Sequence, residues 1–503
     1  MSMKKKIIFL LSLILFTASF SRGTGRQFSR SHWIAERMQS VWFSGGVLPL
    51  AERREFLFVE PLDTYEQQKA FRFNNIRVSQ DVLTVNQGAA QPETQTEVMI
   101  AADPENGENL AAGYQEDRFN DGGSAALTFA SSGDAGRRWS ERLVPKLTIA
   151  TGGAFDRASD PWIAYGLNHH VYYVSIVFNQ SDPLNGVYLS ISNDGGNTFG
   201  DPVTVAESTD VFNDKESVAV DKGMNSPFRG NVYVGWDSVA ADNTQIALIA
   251  RSTNGGASFS QPRKLMQDGQ NIGVVPVVAS NGTLYAFWVQ LKPDQTRIFV
   301  ARSRSGGSKW SPPHRVAKMT VSEVPGLRTG SVLMAPAVDP GSGVLYVVWQ
   351  DKQSGSTVQI VCSRSLNQGK TWSVPVRVTD GSAQHHYFTP AVTVDDSGIL
   401  AVSYYSIRID PDGGHFVDLY ISKSSDEGRT FDPPVRVTSR SFDVRFAANV
   451  LLPNAGTAFF LGDYQGIVSG PQFLHPVWVA TLKNSRIDPS LKQPDVFTAR
   501  VRR

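Results

Sequence analysis

One eight-residue pattern recurs six times along the 503-residue chain, and it constrains the fold more than any other feature. It reads serine, a short polar residue two places on, glycine two further, and an aromatic three further. The copies are Ser132-Asp134-Gly136-Trp139, Ser192-Asp194-Gly196-Phe199 and Ser252-Asn254-Gly256-Phe259. Ser303-Ser305-Gly307-Trp310, Ser365-Asn367-Gly369-Trp372 and Ser424-Asp426-Gly428-Phe431 complete the set. The chemistry is that of a closed turn. Asp, Asn and Ser accept backbone N–H groups inside tight turns, glycine supplies positive φ, and the ring packs back beneath the hairpin. The Asp position is Asn or Ser in three copies, which a calcium loop tolerates badly.

β-rich runs flank each copy, for example 360–364 before Ser365 and 374–379 after Trp372. Two more strand-like runs precede each of these, so every unit reads as a four-stranded antiparallel meander with little helix. Such units repeated about an axis form a β-propeller. The aromatic positions from Trp139 to Phe431 are spaced about 58 residues apart, so 75–503 holds roughly seven units. The seventh lacks the pattern. Its strands are expected at 458–462, 476–482 and 496–501, with the run 76–79 closing the ring as the fourth. The alternative is six blades with a C-terminal appendage.

Lys4, Lys5 and Lys6 precede an apolar run from Ile7 to Phe16, then Thr17, Ala18 and Ser19. This is the layout of a secretory leader, expected over 1–23. Residues 24–74 read as a partly helical extension or linker, and 75–503 as the propeller. The expected location is secreted, extracellular or periplasmic, and the expected state is a monomer with no membrane attachment after cleavage. The net charge of +1 leaves no field for holding a polyanion, which argues against nucleic acid. The lone Cys362 excludes an internal disulfide and any cysteine-rich zinc site. It sits in a strand as a small hydrophobe. Trp236, Trp288 and Trp349 end equivalent second strands and read as core between blades. His169-His170 and His385-His386 lack a matched third ligand for zinc.

The six copies resemble Asp-box (BNR) repeats, and 75–503 resembles the sialidase-like β-propeller superfamily. That resemblance implies that the boxes lie on turns away from the active face and take no part in catalysis. It also implies three arginines for a substrate carboxylate, a Tyr–Glu nucleophile pair and an Asp acid/base. The Arg-Ile-Pro tripeptide typical of sialidases does not occur here.

If each box joins strands three and four, the opposite face carries the starts of the first strands and the ends of the second. The first strands offer Glu97, Asp160 and Glu216 at similar repeat positions, while Pro276, Pro336 and Pro390 fall near there in later units. The second strands end in Asp117-Arg118, Asp237 and Asp351. The last unit adds Asp463 and Tyr464, and Arg157, Arg328, Arg408 and Arg445 fall in loops of that face. Two functions compete. A glycoside hydrolase would use Asp463, Tyr464, Glu216 and Asp160 catalytically, with Glu97, Asp117, Arg118, Arg157, Asp237, Arg328, Asp351 and Arg445 binding substrate. A binding propeller would hold a glycan or protein ligand there without turnover. No cofactor is expected in either case, although the same carboxylates could take calcium.

Overall fold

The computed structural model describes residues 73–83, 88–292, 295–352, 357–408, 415–452, 456–481 and 492–503. The expected leader and nearly all of the 24–74 extension lie outside them. The described residues form strands and two single-turn 3-10 helices, with no α-helix.

Antiparallel meanders follow one another along the chain. The first comprises Gln95–Ala102, Leu110–Arg118, Ser124–Ser132 and Ser140–Leu143. Five more of the same order begin with Arg157–Tyr165, Phe212–Val220, Gln270–Val278, Met334–Val338 and His385–Val394. The last is Gly466–Ser469, Phe473–Thr481 and Pro494–Ala499, joined by the N-terminal strand Asn75–Arg77. Ile76 lies opposite Thr498 in that antiparallel ladder. Each first strand packs against the first strand of the following sheet, and that of the last sheet packs against Gln95–Ala102.

Burial explains the composition of the second strands. Val171–Phe178, Val232–Val239 and Leu284–Leu291 are buried along their whole length, because a neighbouring sheet covers each face. They read accordingly as near-continuous apolar runs without alternation. Trp236, Trp288 and Trp349 are fully buried there. Each contributes on the order of 4–6 kcal/mol of gross transfer free energy.

The six boxes join strands three and four. In each, the serine Oγ accepts the glycine N–H, at 2.7 Å for Gly196 and 2.8 Å for Gly428. Five serines donate to the Asp or Asn carboxyl or amide oxygen, which in turn accepts N–H groups three or four places on. The aromatic reaches the adjacent sheet: Phe199 meets Phe129 at 5.0 Å and Trp372 meets Phe287 at 5.9 Å. A basic residue just before the box serine adds a second staple. Arg251 donates to Gly306 O at 2.8 Å and Arg364 to Glu427 O at 2.6 Å, each in the following box.

One expectation needs correction. The run near 458–462 is not a strand of the last meander. Gly456–Phe460 instead forms a separate small sheet with Ala448–Leu452 and the two-residue strand Leu327–Arg328. The last meander starts only at Gly466, after the tight segment 462–465.

Candidate functional site

The ladder between first and second strands slips at the same point in five sheets. The slips fall at Thr96/Met99, Ser159/Trp162, Asp214/Ser217, Ile272/Val275 and Phe388/Ala391. Each bulge holds one residue at positive φ: Glu97 (54°), Asp160 (52°), Lys215 (50°), Gly273 (68°) and Thr389 (48°). Bulges re-aim side chains and recur beside working sites. Four of the five are not glycine, at a cost of about 1–2 kcal/mol each. Asp237 supports one of them by accepting the Gly273 N–H at 2.9 Å.

This register corrects the repeat comparison. Lys215, not Glu216, is the equivalent of Glu97 and Asp160. Three successive sheets therefore present Glu, Asp and Lys from one structural position, and they meet. Lys215 Nζ donates to Asp160 Oδ1, lies 3.1 Å from Asp463 Oδ2, and 3.5 Å from Glu97 Oε1. Arg328 grips Asp463 with two donors, Nε at 3.0 Å and Nη2 at 2.5 Å. Arg118 Nη1 lies 3.7 Å from Glu97 Oε2, and Gln115 donates to the same oxygen. Ser159 Oγ donates to Asp160 Oδ2 at 2.8 Å. Tyr464 packs on Trp162 at 5.4 Å, sits 5.7 Å from Lys215 Nζ, and donates to Pro161 O at 3.1 Å.

The small separate sheet covers this cluster. Phe460 lies between two guanidinium groups, 4.3 Å from Arg118 and 4.9 Å from Arg328. Gly330 lies so close to the Asp463 carbonyl that a Cβ would sit 2.0 Å from it. The side chains of Lys215, Glu97 and Asp463 are 4%, 1% and 0% exposed, so solvent barely reaches them.

Burial pushes the Glu97 carboxyl up to about 7, with the charge of Asp160 adding to the effect and Lys215 opposing it. Burial disfavours the Lys215 ammonium too, but Asp160, Glu97 and Asp463 outweigh it and hold that group well above the usual lysine value. Arg118 is lowered by burial, and the Arg328 charge adds to the lowering.

The other expected residues lie elsewhere or play different parts. Glu216 is 2% exposed and points into the packed interior, where both carboxyl oxygens lack a hydrogen-bond partner among the described residues. Burial, then Asp160, raises it far above the ordinary range. Asp351 accepts Trp349 Nε1 at 2.9 Å and Thr320 N at 3.1 Å. Asp117 accepts Glu93 N at 2.9 Å. Arg157 pairs with Asp121 at 2.7 Å over the Phe119 ring, and Arg445 with Asp443 at 2.6 Å. Arg408 lies opposite His385 in its ladder. His169 Nδ1 meets Asp103 at 2.6 Å, and His386 Nδ1 accepts Val358 N at 3.1 Å. Cys362 is buried, which pushes its thiol up to about 12. Among the described residues no three His, Cys, Asp or Glu side chains converge to hold a metal.

No protein family matches this chain, and no curated protein does. Solved structures give distant likenesses. A protein of unknown function from Dyadobacter fermentans is 12% identical, with 85% of this chain and 99% of that one covered at a TM-score of 0.45. The NanB sialidase from Streptococcus pneumoniae is 13% identical, covering 84% and 70% at 0.41. An α-L-arabinanase from Penicillium chrysogenum is 9% identical, covering 67% and 92% at 0.40. The all-β, antiparallel description rests on the strand pairing of this chain itself.

Proposed function

We propose that this chain is a secreted seven-bladed β-propeller of the sialidase-like kind, with the six boxes as Asp-boxes. Its function is to bind a glycan or protein ligand on the face opposite the boxes, without turnover. The observation that carries the absence of turnover is the state of the central cluster. Its carboxylates are already neutralised by Lys215, Arg118 and Arg328, and the cluster is shut from solvent. A glycoside hydrolase needs two carboxyl groups facing a sugar, one holding a proton and one free to attack or to activate water. Here the Lys215 ammonium stands between Asp160, Asp463 and Glu97, so these carboxyl groups face a cation. The same ammonium argues against calcium at this point, since a hard cation would have to displace it.

The hydrolase reading keeps one specific support. Glu97, at about 7, is a carboxyl able to give a proton near neutrality beside acids of a different environment. A panel of fluorogenic glycosides including a sialoside separates the two. We expect no hydrolysis of any of them by the full chain. Turnover that disappears in Glu97→Gln or Asp463→Asn would establish the hydrolase instead.

A further inference from the structure

The seam where the N-terminal strand closes the ring has an unusual charge balance. Asn75–Arg77 lies against Pro494–Ala499, and the following residues continue the contact: Val78 N donates to Val496 O at 2.7 Å, and Val496 N to Ser79 Oγ at 2.9 Å. Ser79 Oγ donates to Asp495 Oδ1 at 3.0 Å. Arg77 pairs with Asp495, and with Asp81 at 3.4 Å.

The first sheet brings further acids to the same place. Gln95 Nε2 donates to Glu116 Oε1 at 2.8 Å and to Asp81 Oδ1 at 3.2 Å. Asp117 is held by Glu93 N, and Gln493 Nε2 reaches Glu93 Oε2 at 3.3 Å. Glu141, on the fourth strand, accepts the Tyr114 hydroxyl at 2.7 Å. Arg77 is the cation these groups share: it pairs with Asp495 and Asp81, and its charge reaches Glu141.

Hydrogen donors are short as well. Asp495 Oδ2, Gln95 Oε1 and Gln493 Oε1 are buried acceptors without a hydrogen-bond partner among the described residues. Asp495 and Gln95 are 0% exposed and Gln493 1%. Buried acceptors left without donors are costly, and buried carboxylates without counter-charge more so. A proton on a carboxyl group supplies the missing donor and removes a charge in one step.

We propose that ring closure in this protein is a proton-operated latch: the N-terminal strand stays docked while carboxyl groups of this seam are protonated, and it loosens as they ionise. The electrostatics agree. Burial pushes Asp117, Glu141 and Asp495 up to about 7, with Asp81 adding to each, and Arg77 only partly offsets this at Glu141 and Asp495. Burial, then the Asp117 charge, also raises Glu116 well above the usual carboxylate range. Carboxyl groups raised by folding stabilise the closed form fully below their unfolded values. That contribution is lost as pH rises through about 7.

Amide hydrogen exchange on the full chain tests the latch, read at Val78 and Val496 and compared with Val234 in the third sheet. After correction for intrinsic rates, protection at Val78 and Val496 is expected to fall at least about tenfold more than at Val234 between pH 5 and pH 8. Glu116→Gln mimics the protonated acid and should keep protection at pH 8 close to its pH 5 level. Asp495→Asn provides the same readout if that variant does not fold. Equal pH dependence at all three amides would overturn the latch, as would loss of protection at Val78 and Val496 in Glu116→Gln at both pH values while Val234 stays protected. Restoration at pH 8 by millimolar calcium would mean that a metal, not protons, balances the seam, and would also overturn it.

Discussion

Replacing Lys215 by methionine keeps the apolar stem and removes the charge that three acids share. The side chain is 4% exposed, and its Nζ touches Asp160, Asp463 and Glu97. In Lys215→Met, Asp463 retains Arg328, and Glu97 retains Arg118 at 3.7 Å. Asp160 retains only the Ser159 hydroxyl among the hydrogen bonds described above. Removing one partner of a buried ion pair costs about 3–5 kcal/mol, because the other charge stays buried. That is roughly two to three and a half orders of magnitude in the folding equilibrium. The loss should depend on pH. Without the ammonium, which opposes the rise at Glu97, that carboxyl holds its proton more tightly, and a carboxyl with a raised folded value destabilises as pH rises. Urea denaturation followed by tryptophan fluorescence should therefore show a larger drop in midpoint at pH 8 than at pH 5. A midpoint unchanged at both values would refute the reasoning, since the ammonium would then hold nothing together.

Other perturbations probe other parts of the molecule. Ser192→Ala removes the acceptor of the Gly196 N–H and the donor to Asp194, and should cost about 1–2 kcal/mol in chemical denaturation. His475 is fully buried with both ring nitrogens unpartnered among the described residues, and burial lowers it to about 4. The unfolded chain binds that proton first, so stability should fall as pH drops from 6.5 through 4, by about 3 kcal/mol in total. His475→Phe should flatten this acid limb of a melting-temperature profile. Gly330→Ala should destabilise by roughly 1–3 kcal/mol in thermal unfolding, because φ is +59° and its Cβ would strike the Asp463 carbonyl. Deleting 75–80 removes the fourth strand of the last sheet, and a melting temperature equal to that of the intact chain would count against ring closure.

The boxes were legible because their chemistry is local. Serine, Asp or Asn, and glycine bond within one turn, so the pattern survives in sequence wherever the turn does. The second strands were legible because burial on both faces makes them apolar throughout. The site was legible only in part. Glu97 and Asp160 could be named from their repeat positions, Arg118 from the end of a second strand, Arg328 from a loop of that face, and Asp463 and Tyr464 from the last unit. Lys215 was missed because the comparison followed acidic residues, while a bulge inserts one residue and shifts what faces the axis. Aligning Thr96-Glu97, Ser159-Asp160 and Asp214-Lys215 would have found it. The covering sheet was out of reach, because Leu327–Arg328 is two residues long and pairs with a strand far along the chain. Nothing local in such a segment marks it as a strand.

A double-mutant cycle on Lys215→Met and Asp160→Asn, measured by equilibrium urea denaturation at pH 7.5, addresses the ion-locked centre most directly. The arrangement described here requires a coupling energy of at least about 2 kcal/mol between the two side chains. Additive effects, with no coupling, would contradict it.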